Sequence, residues 1–263
     1  RDGTLSCASC HDSTKAFTDG RAVSLGVADR QGTRNSMPLF NLAWKSSFFW
    51  DGRAPSLREQ VLQPIQDHAE MDSNLDDVIA RLGKSQRPAF EKAFGPGEVT
   101  TEKLALALEN FLLTLTSYDS KFDRTMAGKE KLSAEEERGM ELFFTEYEPR
   151  SQQYGADCFH CHGGANFSDH QFHNNGLDDP GTFSTPSLRN LVLTAPYMHD
   201  GRFETLEEVI AHYSGPMHRS AELDPNLAKH PKSGLQLSEE DQAALVGFLK
   251  TLTDPKYQAD FGQ

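Results

Sequence analysis

Every cysteine of the 263-residue chain falls in one of two frames of identical spacing, Cys7-Ala-Ser-Cys10-His11 and Cys158-Phe-His-Cys161-His162. Two thiols separated by two residues and followed at once by an imidazole suit covalent haem attachment. The thiols form thioethers to the vinyl groups, and the histidine swings under the iron as proximal ligand. A histidine directly after the second cysteine suits neither a disulfide framework nor a Cys2His2 zinc site. The two frames therefore predict two haem c groups, on Cys7, Cys10 and His11 and on Cys158, Cys161 and His162. Haem c is attached outside the bacterial cytoplasm, so a periplasmic location is expected. Arg1 opens the sequence without a signal peptide, which is expected to have been removed or to lie outside it.

The elements that must hold these groups also come in pairs. Cys7 matches Cys158, Phe17-Thr-Asp19 matches Phe167-Ser-Asp169, Asp51 matches Asp200 and Leu57 matches Leu206, with offsets that stay between 149 and 151. Constant offsets across separate motifs suggest duplication of one haem-binding unit. "FFWDGRAPSLREQ" and "YMHDGRFETLEEV" repeat an Asp-Gly-Arg turn followed by a capping box, Ser56 with Glu59 and Thr205 with Glu208. Each turn delivers the chain into a helix and fixes the residue before it, which is Trp50 in one copy and His199 in the other. Further helices are predicted over Asp76 to Leu82, Thr101 to Thr116, Ser133 to Phe144 and Ser238 to Leu252, the last two opening with a serine three residues before a carboxylate. Strand-like alternation is scarce. The expected fold is mostly α, with few or no strands. It comprises two cytochrome-c-like haem domains over residues 1–120 and 121–263, joined near the polar stretch Ser117 to Lys131. Tyr147 to Asp157 and Pro216 to Gly234 read as irregular loops.

Composition narrows the partners. The net charge is −13 and the 26 Lys+Arg are dispersed, which argues against nucleic acid and suits a soluble protein or one that docks to a basic partner. No segment has the length and apolarity of a membrane span. Hydrophobic residues make up 37%, modest for two cores, which leaves room for large apolar cofactors to fill them.

Taken with "FFWDGR", Glu70-Met71, "TPSLRN" and "YMHDGR", the two CxxCH sites resemble the bacterial di-haem cytochrome c peroxidase and MauG superfamily over almost the whole chain. The resemblance implies an N-terminal haem that meets H2O2, a C-terminal haem that handles electrons, and Trp50 between them. It makes Glu70 the distal acid, which would take a proton from the inner peroxide oxygen and return it to the outer one. Gln60, Pro64 and Phe49 match other residues of that pocket, and His199 a position near the second haem. It also implies a Ca2+ held by the Asn35 side chain, the Thr194 and Pro196 carbonyls and waters, a hard-oxygen set suited to that ion.

Two departures from the ordinary peroxidases matter. Those enzymes carry a histidine between the first CxxCH and the Asn of the calcium site, and it caps the peroxidatic haem. Here Asp12 to Arg34 contains none, Val27 stands at the aligned place, and His68 is a rival in another segment. The first haem is thus expected to be open. For the sixth ligand of the second haem, "TLEEVIAHYSGPM" offers His212, Tyr213 and Met217, or a packing role for all three. Helix counting puts Tyr213 at the family's position, as in MauG-like enzymes. A phenolate favours ferric and higher states, whereas Met favours ferrous iron.

The MauG-like reading follows: peroxide leaves two oxidising equivalents as a bis-Fe(IV) state, which is used on a protein partner. The alternative is a peroxidase fed by a small cytochrome c or cupredoxin. A pure electron-transfer cytochrome would need two six-coordinate irons. His170, His173, His218 and His230 are expected to be surface or packing residues.

Overall fold

The structure is a computed structural model and describes residues 3–177 and 180–258. Among these residues ten α-helices alternate with 3-10 turns: α1 (Leu57–Gln60), α2 (Gln63–Gln66), α3 (Leu75–Ser85), α4 (Arg87–Phe94), α5 (Thr101–Leu113), α6 (Lys121–Met126), α7 (Ala134–Phe144), α8 (Leu206–Ser214), α9 (Pro225–Ala228) and α10 (Glu239–Lys250). Strands are confined to two antiparallel pairs, β1 (Tyr147–Glu148) with β2 (Gln153–Tyr154) and β3 (Phe172–His173) with β4 (Phe183–Ser184). The fold is thus mostly α. Three segments read as irregular from sequence carry short elements: α6 in the polar stretch, the β1–β2 hairpin and α9.

Side-chain caps explain where the helices begin. Ser133 with Glu136 and Thr205 with Glu208 form complete capping boxes, and Ser238 accepts from the Asp241 N–H. At Ser56 only half of the expected box forms. Its hydroxyl accepts from the Glu59 N–H, and the Glu59 carboxylate accepts from that hydroxyl. α6 starts at a further box, Ser120 with Asp123.

Two apolar clusters lie one in each half. In the second, α7 crosses α10 so closely that a Cβ on Gly139 would sit 1.9 Å from the Ala244 carbonyl oxygen. Phe143, Phe167 and Phe248 pack there edge-on at centroid separations of 5.2 to 6.3 Å. The first cluster gathers Phe17, Phe40, Phe48 and Leu57 against α5. Tyr257, from the far end of the chain, completes it. The ring is fully buried between Phe17 and Phe40 at 6.3 and 5.7 Å, and its hydroxyl donates to the Thr116 carbonyl at 3.0 Å.

A seam of backbone contacts joins the halves. The Asn35 N–H donates to the His199 carbonyl at 2.9 Å and the Ser184 N–H to the Trp50 carbonyl at 2.8 Å. Gly201 has φ +67, and a Cβ there would fall 2.4 Å from the Ala22 Cα. Only glycine satisfies both demands.

Candidate di-haem site

The two CxxCH segments fold alike. Each is a 3-10 turn, Cys7–Ser9 and Cys158–His160, and in each the histidine N–H donates to the first cysteine carbonyl at 2.9 Å. His11 Nδ1 lies 2.8 Å from the Phe17 carbonyl and His162 Nδ1 3.0 Å from the Phe167 carbonyl. A carbonyl can only accept, so Nδ1 carries the proton and the Nε2 lone pair is left for a metal. Burial lowers the pKa of both imidazoles and keeps them neutral, the form that ligates. Phe17 and Phe167 both adopt positive φ, 64° and 50°, which aims their carbonyls back at the rings. All four cysteines are free of disulfides. This donor set fits two haem c groups, held by Cys7, Cys10 and His11 and by Cys158, Cys161 and His162.

The Asp-Gly-Arg turns are matched hairpins. Phe48 bridges Ala54 and Tyr197 bridges Phe203, with Phe49 and Met198 at positive φ before Gly52 and Gly201. Asp51 and Asp200 each accept from the arginine N–H two residues on. Trp50, 9% exposed, is fixed by Nε1–H donating to the Asn35 carbonyl at 2.9 Å. Its ring meets that of His199, 2% exposed, edge-on at 6.4 Å, and Phe183 stacks on the other face of His199 at 3.7 Å. The two residues that the repeat equates thus touch each other across the seam.

In the segment that the resemblance assigns to the first haem's distal side, α2 is followed by a loop that folds back upon it. Glu70 N–H donates to the Asp67 carbonyl, Met71 N–H to Pro64 and Ser73 N–H to Ile65, at 3.1, 3.2 and 2.9 Å. Gln60 ends α1 half-buried and leads through Val61 and Leu62 into this helix. The Glu70 carboxyl is raised above its ordinary value by burial and by the Asp67 charge, against a smaller opposing pull from Arg53. Burial raises the Cys10 thiol against a hydrogen bond from Ser24, and the Asp19 and Glu70 charges add to the rise. Arg53 was not anticipated: its guanidinium lies 3.5 Å over the Phe49 ring while pairing with Asp51 at 3.0 Å. Its signal was present in the turn, where an arginine two residues after a capping Asp points back to the residue preceding it.

Val27, 3% exposed, packs where the resemblance calls for a capping histidine, and its N–H donates to the Glu70 carbonyl at 2.7 Å. His68, the rival, is 76% exposed in its side chain and is held by Arg30 at 3.1 Å and Asp72 at 3.4 Å.

At the second haem the three alternatives separate. Burial pushes the Tyr213 phenol up to about 12, against an opposing hydrogen bond from Asn175 and with the Cys161 and Cys158 thiols adding to the shift. Met217, beyond the end of α8, packs against Gly176 and Leu223. His212 points elsewhere, with Nε2 3.0 Å from the Asn175 carbonyl. The Asn175 amide donates to both the Tyr213 hydroxyl and the Met198 sulfur at 3.4 Å. Neither Asn175 nor Met198 was singled out from sequence, because only the fold brings them to α8.

Asn35 Nδ2 donates to the Arg21 carbonyl at 2.8 Å, which orients its Oδ1. Thr194 precedes a cis peptide bond between Ala195 and Pro196. Two histidines expected at the surface or in packing bond carboxylates: His173 lies between Asp224 at 2.6 Å and Asp169 at 2.8 Å, and His230, 4% exposed, bonds Asp157 at 2.7 Å. No helix among the described residues is long and apolar enough to cross a membrane.

Comparison with known proteins agrees with this geometry. The family described as "Di-haem cytochrome c peroxidase" matches residues 1–131 and 133–263. The methylamine utilization protein MauG of Methylophilus methylotrophus is 33% identical over 96% of this chain and 77% of its own. The cytochrome c551 peroxidase of Nitrosomonas europaea is 30% identical over 99% and 77%. Among solved structures, a MauG-like protein associated with microbial copper homeostasis superposes with a TM-score of 0.84 at 32% identity, covering 99% of this chain and 87% of that one.

Proposed function

The chain belongs to the di-haem cytochrome c peroxidase family and is an H2O2-dependent di-haem oxidoreductase, and on that premise we propose that it is a periplasmic enzyme of the MauG-like branch. In this reading residues 1–120 and 121–263 are duplicated haem units. The first accepts peroxide, and the pair retains two oxidising equivalents for use on a protein partner. The haems supply the redox chemistry and the residues around them decide its course. Glu70, as carboxylate, takes a proton from the inner peroxide oxygen and returns it to the outer one, which then leaves as water. Phe49, Gln60 and Pro64 wall that space, and Trp50 lies on the path between the haems. Asn35 Oδ1 and the Thr194 and Pro196 carbonyls are hard oxygen donors suited to Ca2+ beside that path.

The observation that supports the reading is Tyr213, which α8 carries at the position that the resemblance gives the sixth ligand and whose hydroxyl accepts from the Asn175 amide at 3.4 Å. An anionic phenolate ligand favours oxidised iron. The likeness to a protein associated with copper homeostasis directs the search for a partner to proteins encoded beside copper-handling genes. The peroxidase alternative, with a small cytochrome c or cupredoxin as donor, requires a thioether at the second haem. The methionine joined to Tyr213 through Asn175 is Met198.

The deciding experiment adds one equivalent of H2O2 to the fully ferric protein without reductant and follows EPR. Loss of both ferric signals is expected. A protein that reacts only after one haem has been reduced would belong with the ordinary peroxidases.

A further inference from the structure

Lys45 stands at the seam without a counter-charge. Its Nζ donates to the Ser184 hydroxyl at 3.3 Å, and the Ser184 N–H donates to the Trp50 carbonyl at 2.8 Å, which places the ammonium at the inter-haem residue. It is half-buried, and no carboxylate among the described residues pairs with it, although the chain carries 39 Asp+Glu. Near it lies His170, whose pKa is lowered by burial and further by the Lys45 charge, against an opposing effect of Asp169, and whose Nδ1 lies 3.1 Å from the Ser168 hydroxyl. The path continues to His162, since Ser168 donates to the Thr185 carbonyl at 2.8 Å and follows Phe167, whose carbonyl lies 3.0 Å from the His162 Nδ1.

A cation enclosed beside two haem pockets, with only a hydroxyl to bond, is complementary to an anion brought by the cofactor. The anionic groups of a haem are its propionates. We propose that Lys45 is the counter-ion of a haem propionate at the seam, and so a positioning residue that sets the electrostatic environment of the path through Trp50. In the absence of that partner, burial holds the ammonium down to about 8. The inference rests on both haems being attached but not on Tyr213 as ligand.

The test compares the midpoint potentials of the two haems in wild type, Lys45→Met and Lys45→Arg, each first shown by pyridine haemochrome to carry two haems. A haem count below two in wild type would overturn the di-haem assignment itself, separately from this proposal. A nearby cation favours the added electron, so Lys45→Met is expected to lower the potential of one haem and Lys45→Arg to restore it. The haem that moves, identified by its ferric EPR signal, owns the propionate. Unchanged potentials, or equal shifts in both variants, would overturn the proposal. Should Lys45→Met fail to load haem, a crystal structure of the haem-loaded wild type decides. Nζ within about 4 Å of a propionate oxygen supports the pairing, and Nζ on a protein carboxylate or in solvent refutes it.

Discussion

The Val27 N–H donates to the Glu70 carbonyl at 2.7 Å, so the segment that would carry a capping ligand is bonded to the backbone of the proposed distal acid. On that proposal a side chain at position 27 would be delivered to the first haem's open face. Val27→His is expected to convert that haem to a six-coordinate, low-spin form. It should slow the reaction of the ferric protein with H2O2 by roughly tenfold or more, with recovery after one-electron reduction. Stopped-flow mixing and EPR check both parts.

Glu70→Gln keeps the shape and removes the proposed base. The rate of peroxide consumption is expected to fall by roughly 10²–10⁴-fold while the ferric spectra stay unchanged. Because burial and Asp67 raise the Glu70 pKa, the working carboxylate is lost as pH falls, and it is lost at a higher pH than for an ordinary glutamate. The wild-type rate should rise with pH through that raised value, and the limb should vanish in Glu70→Gln.

On the proposed ligation, Tyr213→Met replaces an anionic donor by a neutral thioether. The potential of the second haem is expected to rise and its ferrous form to persist in air longer than in wild type. Tyr213→Phe should remove the oxygen ligand without supplying another, leaving the first haem's ferric signal intact. Spectroelectrochemistry of the three proteins separates these outcomes.

His173, between Asp224 and Asp169, has a raised pKa: burial opposes its charge, but the two carboxylates outweigh burial. A folded-state pKa above the unfolded 6.5 means stability that is complete below 6.5 and lost as pH rises through the folded value. His173→Gln should cost roughly 1–3 kcal/mol at pH 6 and less at pH 9, as read by denaturant melts of the haem-loaded protein.

The parts legible in the sequence were those whose signal is local. Cys-x-x-Cys-His fixes its own turn, Asp-Gly-Arg its own hairpin, and Thr205 with Glu208 the start of α8. α6 carried a local signal as well, since Ser120-x-x-Asp123 is a capping pair inside a stretch that reads as polar linker. Glu70 was different. Its raised pKa arises where the 67–73 loop folds back on α2 and meets Val27 from far upstream, so the residues gave no hint without a family resemblance. Lys45 with Ser184, and Asn175 with Met198 and Tyr213, are likewise pairs made only by the folded chain.

The ring of Tyr257 sits at the centre of a cluster whose other members, save this one, precede residue 116. Phe17 packs on that ring, and its carbonyl faces the His11 Nδ1 at 2.8 Å. A residue from the second half of the chain therefore braces the carbonyl that orients the first CxxCH histidine, so a change that loosens the segment around Tyr257 acts on a ring some two hundred and forty positions away in sequence through a single intervening side chain.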